Sequence, residues 1–189
     1  MKRPTASLVM HSYPGMVAIV TARWNGKQNV MAAGWHSYIS IDPPIYGVAI
    51  APARYTHHLV RRSGVFAVQF LPAGRSEWIQ KMGTLGGGEV DKFAALGLEW
   101  QDGLTVDVPI LDDAYVAYEC RVMDVRSYGD HDWFVGAITQ FYRDDSLFQA
   151  NGLPNLQLLE IPLYLGRSEY AVLDAGVPRR RHVQEGCGA

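Results

Sequence analysis

The stretch that decides the fold runs from Val17 to Pro72. It opens on an apolar run, Val17-Ala18-Ile19-Val20-Thr21, followed by the polar turn Asn25-Gly26-Lys27-Gln28-Asn29. A run of small residues comes next, Met31-Ala32-Ala33-Gly34-Trp35-His36-Ser37, and then the double proline Asp42-Pro43-Pro44. Ile45 to Ile50 is apolar at nearly every position, Arg54-Tyr55-Thr56-His57-His58 opens a short helix, and Val65 to Phe70 is a further strand-like run. Asn25-Gly26 is a hairpin turn signal, because both residues tolerate positive φ. The continuous apolar character of Ile45 to Ile50 reads as a strand buried on both faces, and Val65 to Phe70 behaves similarly. Consecutive loops between these strands carry backbone amides, hydroxyls and one arginine, a set suited to a flat aromatic ligand with a phosphate tail.

Further along, Tyr115 to Val125 is the clearest alternating strand. Val116, Tyr118, Cys120 and Val122 face one way, and Glu119 and Arg121 fall on the other. Trp133 to Tyr142 is a second long strand, and Ser127-Tyr128-Gly129-Asp130 supplies the turn of an antiparallel hairpin. Leu156 to Leu165 adds a last strand, with Pro162 favouring an edge position. Helical signals are brief. Thr56 is read as the N-cap of His57 to Arg62 with Gly64 as the stop, and Ser76 as the cap of Glu77 to Met82 ended by Gly83. A third helix, Glu89 to Leu96, ends at Gly97. Many short strands with few helices predict a mainly β chain, a closed or nearly closed antiparallel barrel. Small barrels are filled by their own side chains, so a ligand belongs on the outside or at a rim, where a second subunit could cover it.

Composition sets the class. The 189 residues suffice for one domain with a real core, and 48% hydrophobic against 19% charged residues marks a globular chain. A net charge of -2 gives no electrostatic reason to expect nucleic acid or an anionic membrane as partner. No apolar run approaches the ~18 residues a membrane helix needs. Met1-Lys2-Arg3 resembles a signal-peptide start, but Pro4 to Gly15 is too polar for the apolar segment that should follow, so a cytoplasmic location is expected. Two cysteines exclude a disulfide scaffold: Cys120 reads as core, and Cys187 lies in a glycine-flanked tail. Arg179-Arg180-Arg181-His182 to Ala189 is expected to be a mobile, basic tail.

Asn29-Val30-Met31-Ala32-Ala33-Gly34-Trp35, Ser40-Ile41-Asp42-Pro43-Pro44, Tyr55-Thr56 and Phe66-Ala67-Val68 then fall in a characteristic order. Glu119-Cys120, Gly129-Asp130-His131, Phe134-Val135-Gly136, Pro162-Leu163-Tyr164 and Tyr170 follow. In order and spacing these segments resemble the flavin reductase-like, FMN-binding split-barrel family, which includes flavin reductase components of two-component monooxygenases, flavoredoxins and archaeal ferric reductases. The flavoredoxin-like branch looks most similar. The resemblance covers roughly residues 10 to 170, so a domain over 1–170 with an extension over 171–189 is expected. It implies a split barrel, a homodimer, and one FMN per subunit near the dimer interface.

The resemblance also assigns roles. Arg54 and Thr56, a guanidinium and a hydroxyl just before a helix, would hold the phosphate. Asn29 belongs to the same cofactor-binding set. Ala32, Ala33 and Gly34 have almost no side chain and would let the isoalloxazine ring approach backbone amides. Met31, Trp35 and Pro52 would pack on ring or ribityl surfaces, and Ser37 would donate to ribityl or phosphate oxygens. Lys81 stands where the family often has a lysine near the pyrimidine edge, and His131 would approach the flavin or the incoming nicotinamide. His36 and Tyr38 depart from the pattern, occupying places where small hydroxylated residues are expected.

The implied function is an oxidoreductase passing electrons from NAD(P)H through FMN, with FAD as the other possible flavin, to free flavin, a ferric chelate or a partner protein. The alternatives are a flavin-binding electron carrier without direct NAD(P)H activity and a flavin-free barrel binding protein. Other constellations are weak. Adjacent His57 and His58 point apart on a helix and make a poor metal pair, and no spacing matches a zinc site. Asp112-Asp113 and Asp144-Asp145 read as solvated turn carboxylates. There is no G-x-G-x-x-G, so NAD(P)H would bind without a Rossmann domain, and Gly86-Gly87-Gly88 reads as a flexible loop.

Overall fold

The computed structural model describes Pro4 and residues 14–182. The expectations for Met1-Lys2-Arg3, for Cys187 and for the last seven residues of the basic tail lie outside the described residues. The predicted first hairpin is present: β1 (Ala18–Trp24) and β2 (Lys27–Ala33) pair from Trp24↔Lys27 to Ala18↔Ala33. Asn25 and Gly26 form the two-residue turn at φ 51° and 71°. Next come β3 (His36–Ser40), β4 (Ile45–Ile50), α1 (Tyr55–Ser63) and β5 (Val65–Phe70). Then follow α2 (Ser76–Thr84), α3 (Lys92–Leu96), β6 (Trp100–Asp102) and β7 (Pro109–Leu111). The long hairpin of β8 (Val116–Tyr128) and β9 (His131–Arg143) precedes a final one, β10 (Ile161–Gly166) and β11 (Glu169–Leu173).

Seven strands make one antiparallel sheet in the order β2-β1-β5-β8-β9-β4-β3. Its outermost strands, β2 and β3, are consecutive in the chain and separated only by Gly34 and Trp35. Three peptide steps from Ala33 to His36 span at most about 11 Å. A flat sheet of seven strands would place its edges ~29 Å apart. The sheet must therefore curl until its edges meet, and the barrel follows from connectivity.

Inside the curl lie Ala18, Val20, Phe66, Val68, Cys120 and Phe134, all fully buried. Burial pushes the Cys120 thiol up to about 12, so it is an inert core group, as its position in the alternating strand indicated. Ile19 and Val30 face the other way and are covered by Ile79 and Met82 of α2 and Phe93 of α3. That second layer explains why β1 shows almost no polar alternation.

Several local expectations are corrected. Thr56 is not a cap: α1 begins at Tyr55, two residues earlier than expected, Arg54 holds the N-cap position without a side-chain bond, and Thr56 is buried. Ser76 is the first residue of α2 and not its cap, and the helix continues through Gly83 to Thr84. The third helix is shorter than expected, because Asp91 caps it by accepting from the amides of Phe93 and Ala94. Gly64 and Gly97 do end their helices in the left-handed region. The last strand starts at Ile161 and pairs with β11, which extends past residue 170 to Leu173.

Glu119 shows how sheet faces mislead. It does face away from Cys120, but residues 103–108 cover that face and leave it fully buried. Its carboxylate accepts from the backbone N–H groups of Leu104, Thr105 and Val106 at 2.6, 2.7 and 2.8 Å, and from the Tyr142 hydroxyl. Burial alone would raise its pKa, but the hydroxyls of Thr105 and Tyr142 and the amides of Thr105 and Leu104 outweigh it and hold the carboxyl below its ordinary 4.5. The stability this contributes is present above the unfolded value and lost as pH falls through the folded one. Glu119→Ala is therefore expected to cost about 3 kcal/mol in urea unfolding, since it strands several amides. Glu119→Gln should flatten the loss of stability on acidification.

Candidate functional site

A cavity of about 410 Å³ opens where the two edges of the sheet meet. Its floor is Met31, Ala32, Ala33 and Gly34, and Trp35 stands at the rim, 41% exposed. The corner is pinned by the Ala49 amide, which donates to the Trp35 carbonyl at 2.9 Å. Ala49 enters from β4, Ala51 and Arg54 from the link between β4 and α1, and Ile79, Gln80, Gly83 and Thr84 from α2. Gly83 allows that helix its close approach, since a Cβ there would sit 3.4 Å from the Ala32 methyl.

The opposite wall is aromatic. His131, at the tip of the β8–β9 hairpin, lies with its ring centroid 4.6 Å from that of Trp35. Its Nδ1 is 2.7 Å from the Asp130 carboxylate, and this bond holds the Asp130 carboxyl below its usual range. Tyr164 and Tyr170 of the last hairpin close the cavity, with centroids 5.1 Å apart. The Tyr170 hydroxyl donates to Oε1 of Gln80 at 3.1 Å. A bridge between Gly15 and Tyr164 ties this hairpin to the segment preceding β1.

One end of the cavity is basic. The exposed Arg54 has no carboxylate partner among the described residues. Behind it, outside the lining itself, Lys92 is only 4% exposed and donates from Nζ to the Met82 carbonyl at 2.7 Å. Burial, and then the charge of Arg54, push its pKa down to about 8. The buried Asn29 amide donates to the buried Thr56 hydroxyl at 2.8 Å. That hydroxyl keeps its own proton free to donate. Gly87 packs on Asn29, where a Cβ would stand 2.4 Å from the amide, so the triple-glycine loop is a fitted lid on this pair and not free chain.

Of the residues singled out by sequence, Met31, Ala32, Ala33, Gly34, Trp35, Arg54 and His131 line the cavity together. Asn29 and Thr56 lie inside the protein, bonded to each other. Three are elsewhere. Ser37 is exposed and donates to the Tyr38 carbonyl at 2.8 Å; Pro52 is exposed in a turn; Lys81 pairs with Glu77 at 2.6 Å. None of the three is in the cavity lining. Sequence reasoning misses Gln80, Thr84 and Lys92. Lys92 carries a faint signal, a lone cation opening the apolar Phe93-Ala94-Ala95-Leu96.

His36 and Tyr38 serve the frame. The His36 imidazole is 2.7 Å from the Tyr46 hydroxyl and 3.0 Å from the Met16 carbonyl, and burial lowers its pKa despite the carbonyl. As a neutral ring it donates from Nε2 to Met16 and accepts at Nδ1 from Tyr46. Tyr38 packs on Tyr46 and Tyr118 at 4.9 and 5.6 Å.

Residues 10–174 match the family model described as the flavin reductase like domain. The chain belongs to the flavin reductase-like family. A relative from Pyrococcus abyssi is 35% identical over 147 residues, 77% of this chain and 83% of its own. The chain spans 59% of the length of an Aeropyrum pernix relative, also 35% identical. Among solved structures, an FMN-binding protein from Thermus thermophilus with bound 1-cyclohex-2-enone superposes with a TM-score of 0.84 at 34% identity, covering 95% of this chain and 100% of that one. The split barrel expected for this family is thus the observed fold.

Lys92 provides a direct test of the basic end. A lysine whose folded pKa lies near 8 instead of 10.5 destabilises the protein below pH 8, and the penalty fades as pH rises between those values. Ligand-free Lys92→Met is expected to be more stable than wild type in urea at pH 7, with the difference shrinking from about pH 8 to 10.5.

Proposed function

We propose that the chain is an FMN-dependent flavin reductase, drawing electrons from NADH or NADPH and passing them to a small acceptor or partner protein. The observation that carries this reading is the cavity's make-up: Arg54 in its wall with Lys92 behind it, neither paired with a carboxylate among the described residues, a floor of small residues, and the aromatic rings of Trp35, Tyr164 and Tyr170. A dianionic phosphate answers the unpaired Arg54 and Lys92, and the free proton of Thr56 supplies a further donor. The group fits in size, since ligand cavities typically begin near ~300 Å³. A relative from a Rhodococcus species, 27% identical over 150 residues, is an NADH-dependent flavin reductase, which supports the choice of donor.

FMN supplies the redox chemistry, accepting a hydride from the nicotinamide and delivering electrons onward. The chain's own residues bind and orient. Ala32 to Gly34 lie at the end of a strand hydrogen-bonded on one side only, to β1, which leaves backbone groups on its other side for a ring's polar edge. Trp35 and His131 form the open wall against which a nicotinamide or another flat acceptor stacks. Lys81 is engaged by Glu77 and is not assigned a role at the ring.

The chain is also proposed to work as a homodimer. Tyr38, Ile39 and Ile41, 51%, 47% and 91% exposed, form an apolar edge beside Trp35 that a second subunit would cover. No helix among the described residues is long and apolar enough to cross a membrane.

The test is spectroscopic. Protein incubated with FMN should show flavin bands at roughly 375 and 450 nm that bleach within seconds of adding NADH or NADPH anaerobically. Bands that persist until dithionite is added would instead identify a carrier reduced by another protein, and no bound flavin would refute both readings. Arg54→Ala should weaken FMN binding by roughly 1.5–3 kcal/mol in a flavin-fluorescence titration.

A further inference from the structure

The residue next to His131 is a buried carboxylate outside the cavity lining. Asp132 is 7% exposed, and alternation along β9 turns it to the opposite face from His131. Two side chains hold it. The hydroxyl of Ser127, its direct cross-strand partner in β8, donates to Oδ1 at 2.6 Å. Nε2 of His57, in the first turn of α1, lies 2.8 Å from Oδ2. The Ser127 bond and then the His57 bond hold this carboxyl below its ordinary range, with Arg61 of the same helix adding to the field.

This cluster joins two walls of the cavity from behind. His57 follows Arg54 by three residues, and its amide donates to the Arg54 carbonyl at 3.0 Å. The imidazole itself packs edge-on against Phe134 at 5.2 Å, which fixes its plane. α1 is anchored independently by the buried Thr56, Leu59 and Val60. β9 is laddered to β4 as far as Ile50↔Asp132, and beyond that pair the hairpin tip has no such anchor: in β8 the residues from Arg126 to Tyr128 are exposed, and the turn at Gly129-Asp130 is open to solvent. The carboxylate therefore fastens the loosely held element to the rigid one.

We propose that Asp132, clamped by His57 and Ser127, is a positioning residue that sets His131 against Trp35 and so fixes the slot for the nicotinamide. Successive side chains on a strand point to opposite faces, so locking Asp132 on one face locks the direction of His131 on the other. Without the clamp, the tip twists about the β8–β9 axis and the imidazole leaves the indole. The nicotinamide part of this inference rests on the flavin reductase reading; the His131–Trp35 geometry does not.

The experiment uses full-length Asp132→Asn and Ser127→Ala, each without and with FMN. Asp132→Asn removes the charge and replaces one acceptor oxygen by a donor amide, so a single doubly accepting carboxylate no longer holds both partners and the clamp is weakened. The Trp35 ring current shifts the His131 imidazole proton in NMR, and Trp35→Leu identifies that signal. In Asp132→Asn the signal should move most of the way to its Trp35→Leu position, and in Ser127→Ala part of the way. FMN affinity should stay within about threefold, because the start of α1 that carries Arg54 is held independently by the buried Thr56, Leu59 and Val60. The KM for the nicotinamide should rise roughly tenfold, the scale expected when a reacting partner is misplaced by a fraction of an ångström. Should Asp132→Asn fail to fold, Ser127→Ala carries the same reading, since it leaves the His57–Asp132 contact intact. An unmoved imidazole signal with unchanged KM would overturn the proposal. A wild type that no nicotinamide reduces would refute the reductase reading alone and leave the NMR comparison to decide the clamp.

Discussion

Everything about this molecule depends on one short connection. β2 and β3 are the two edges of a seven-stranded sheet, yet only Gly34 and Trp35 separate them in the chain. Seven strands cannot be both flat and bridged by two residues, so the sheet curls and its edges meet at that corner. An interior of this diameter is packed with side chains and has no room for a cofactor. The corner, by contrast, is a seam with a free strand side and little side-chain bulk. Closing the barrel and creating the cavity are the same event.

Charge is distributed with equal economy. The buried carboxylates Glu119 and Asp132 each have hydrogen-bonding partners that keep them ionised, and neither faces the cavity. Arg54 and Lys92 have no such complement among the described residues. A buried lysine hydrogen-bonded only to a carbonyl is a local cost to folding, and the arginine beside it increases that cost. Such a pair makes sense as part of a site completed by an anion, where binding relieves a strain the empty protein carries.

How much of this is legible in the sequence varies with distance along the chain. Asn25-Gly26, Ile45 to Ile50 and Val65 to Phe70 can be read because turn chemistry and strand burial are local. Thr56 reads wrongly as a cap because its hydroxyl partner, Asn29, lies 27 residues away, and a helix-start position looks the same whether the side chain turns inward or outward. Glu119 falls on the right face, but nothing local says that residues 103–108 will cover it. Gln80 and Lys92 are invisible for the same reason: Gln80 reaches the cavity wall, and Lys92 the space behind Arg54, only after α2 and α3 fold across β1 and β2. Ser37 and Lys81 are the converse case: resemblance alone suggests their roles, and in the structure Ser37 bonds the Tyr38 carbonyl and Lys81 pairs with Glu77, both outside the cavity lining.

The departures at His36 and Tyr38 fit this picture. Where small hydroxylated residues would have offered donors along β3, this chain has bulky rings that pack on Tyr46, Phe70 and Tyr118. These rings close the mouth of the barrel beneath the corner, and the His36–Met16 bond fastens the segment that pairs with Tyr164. Polar groups lost from β3 are replaced from above: Gln80, held by Tyr170, and Thr84 stand on the side of α2 that lines the cavity. Gln80 uses only its carbonyl oxygen in that bond, which leaves its amide protons available to the cavity. The side-chain polar groups of the cavity wall thus come from the helix and hairpin that roof it, while the floor of Ala32 to Gly34 keeps the small residues that closure demands.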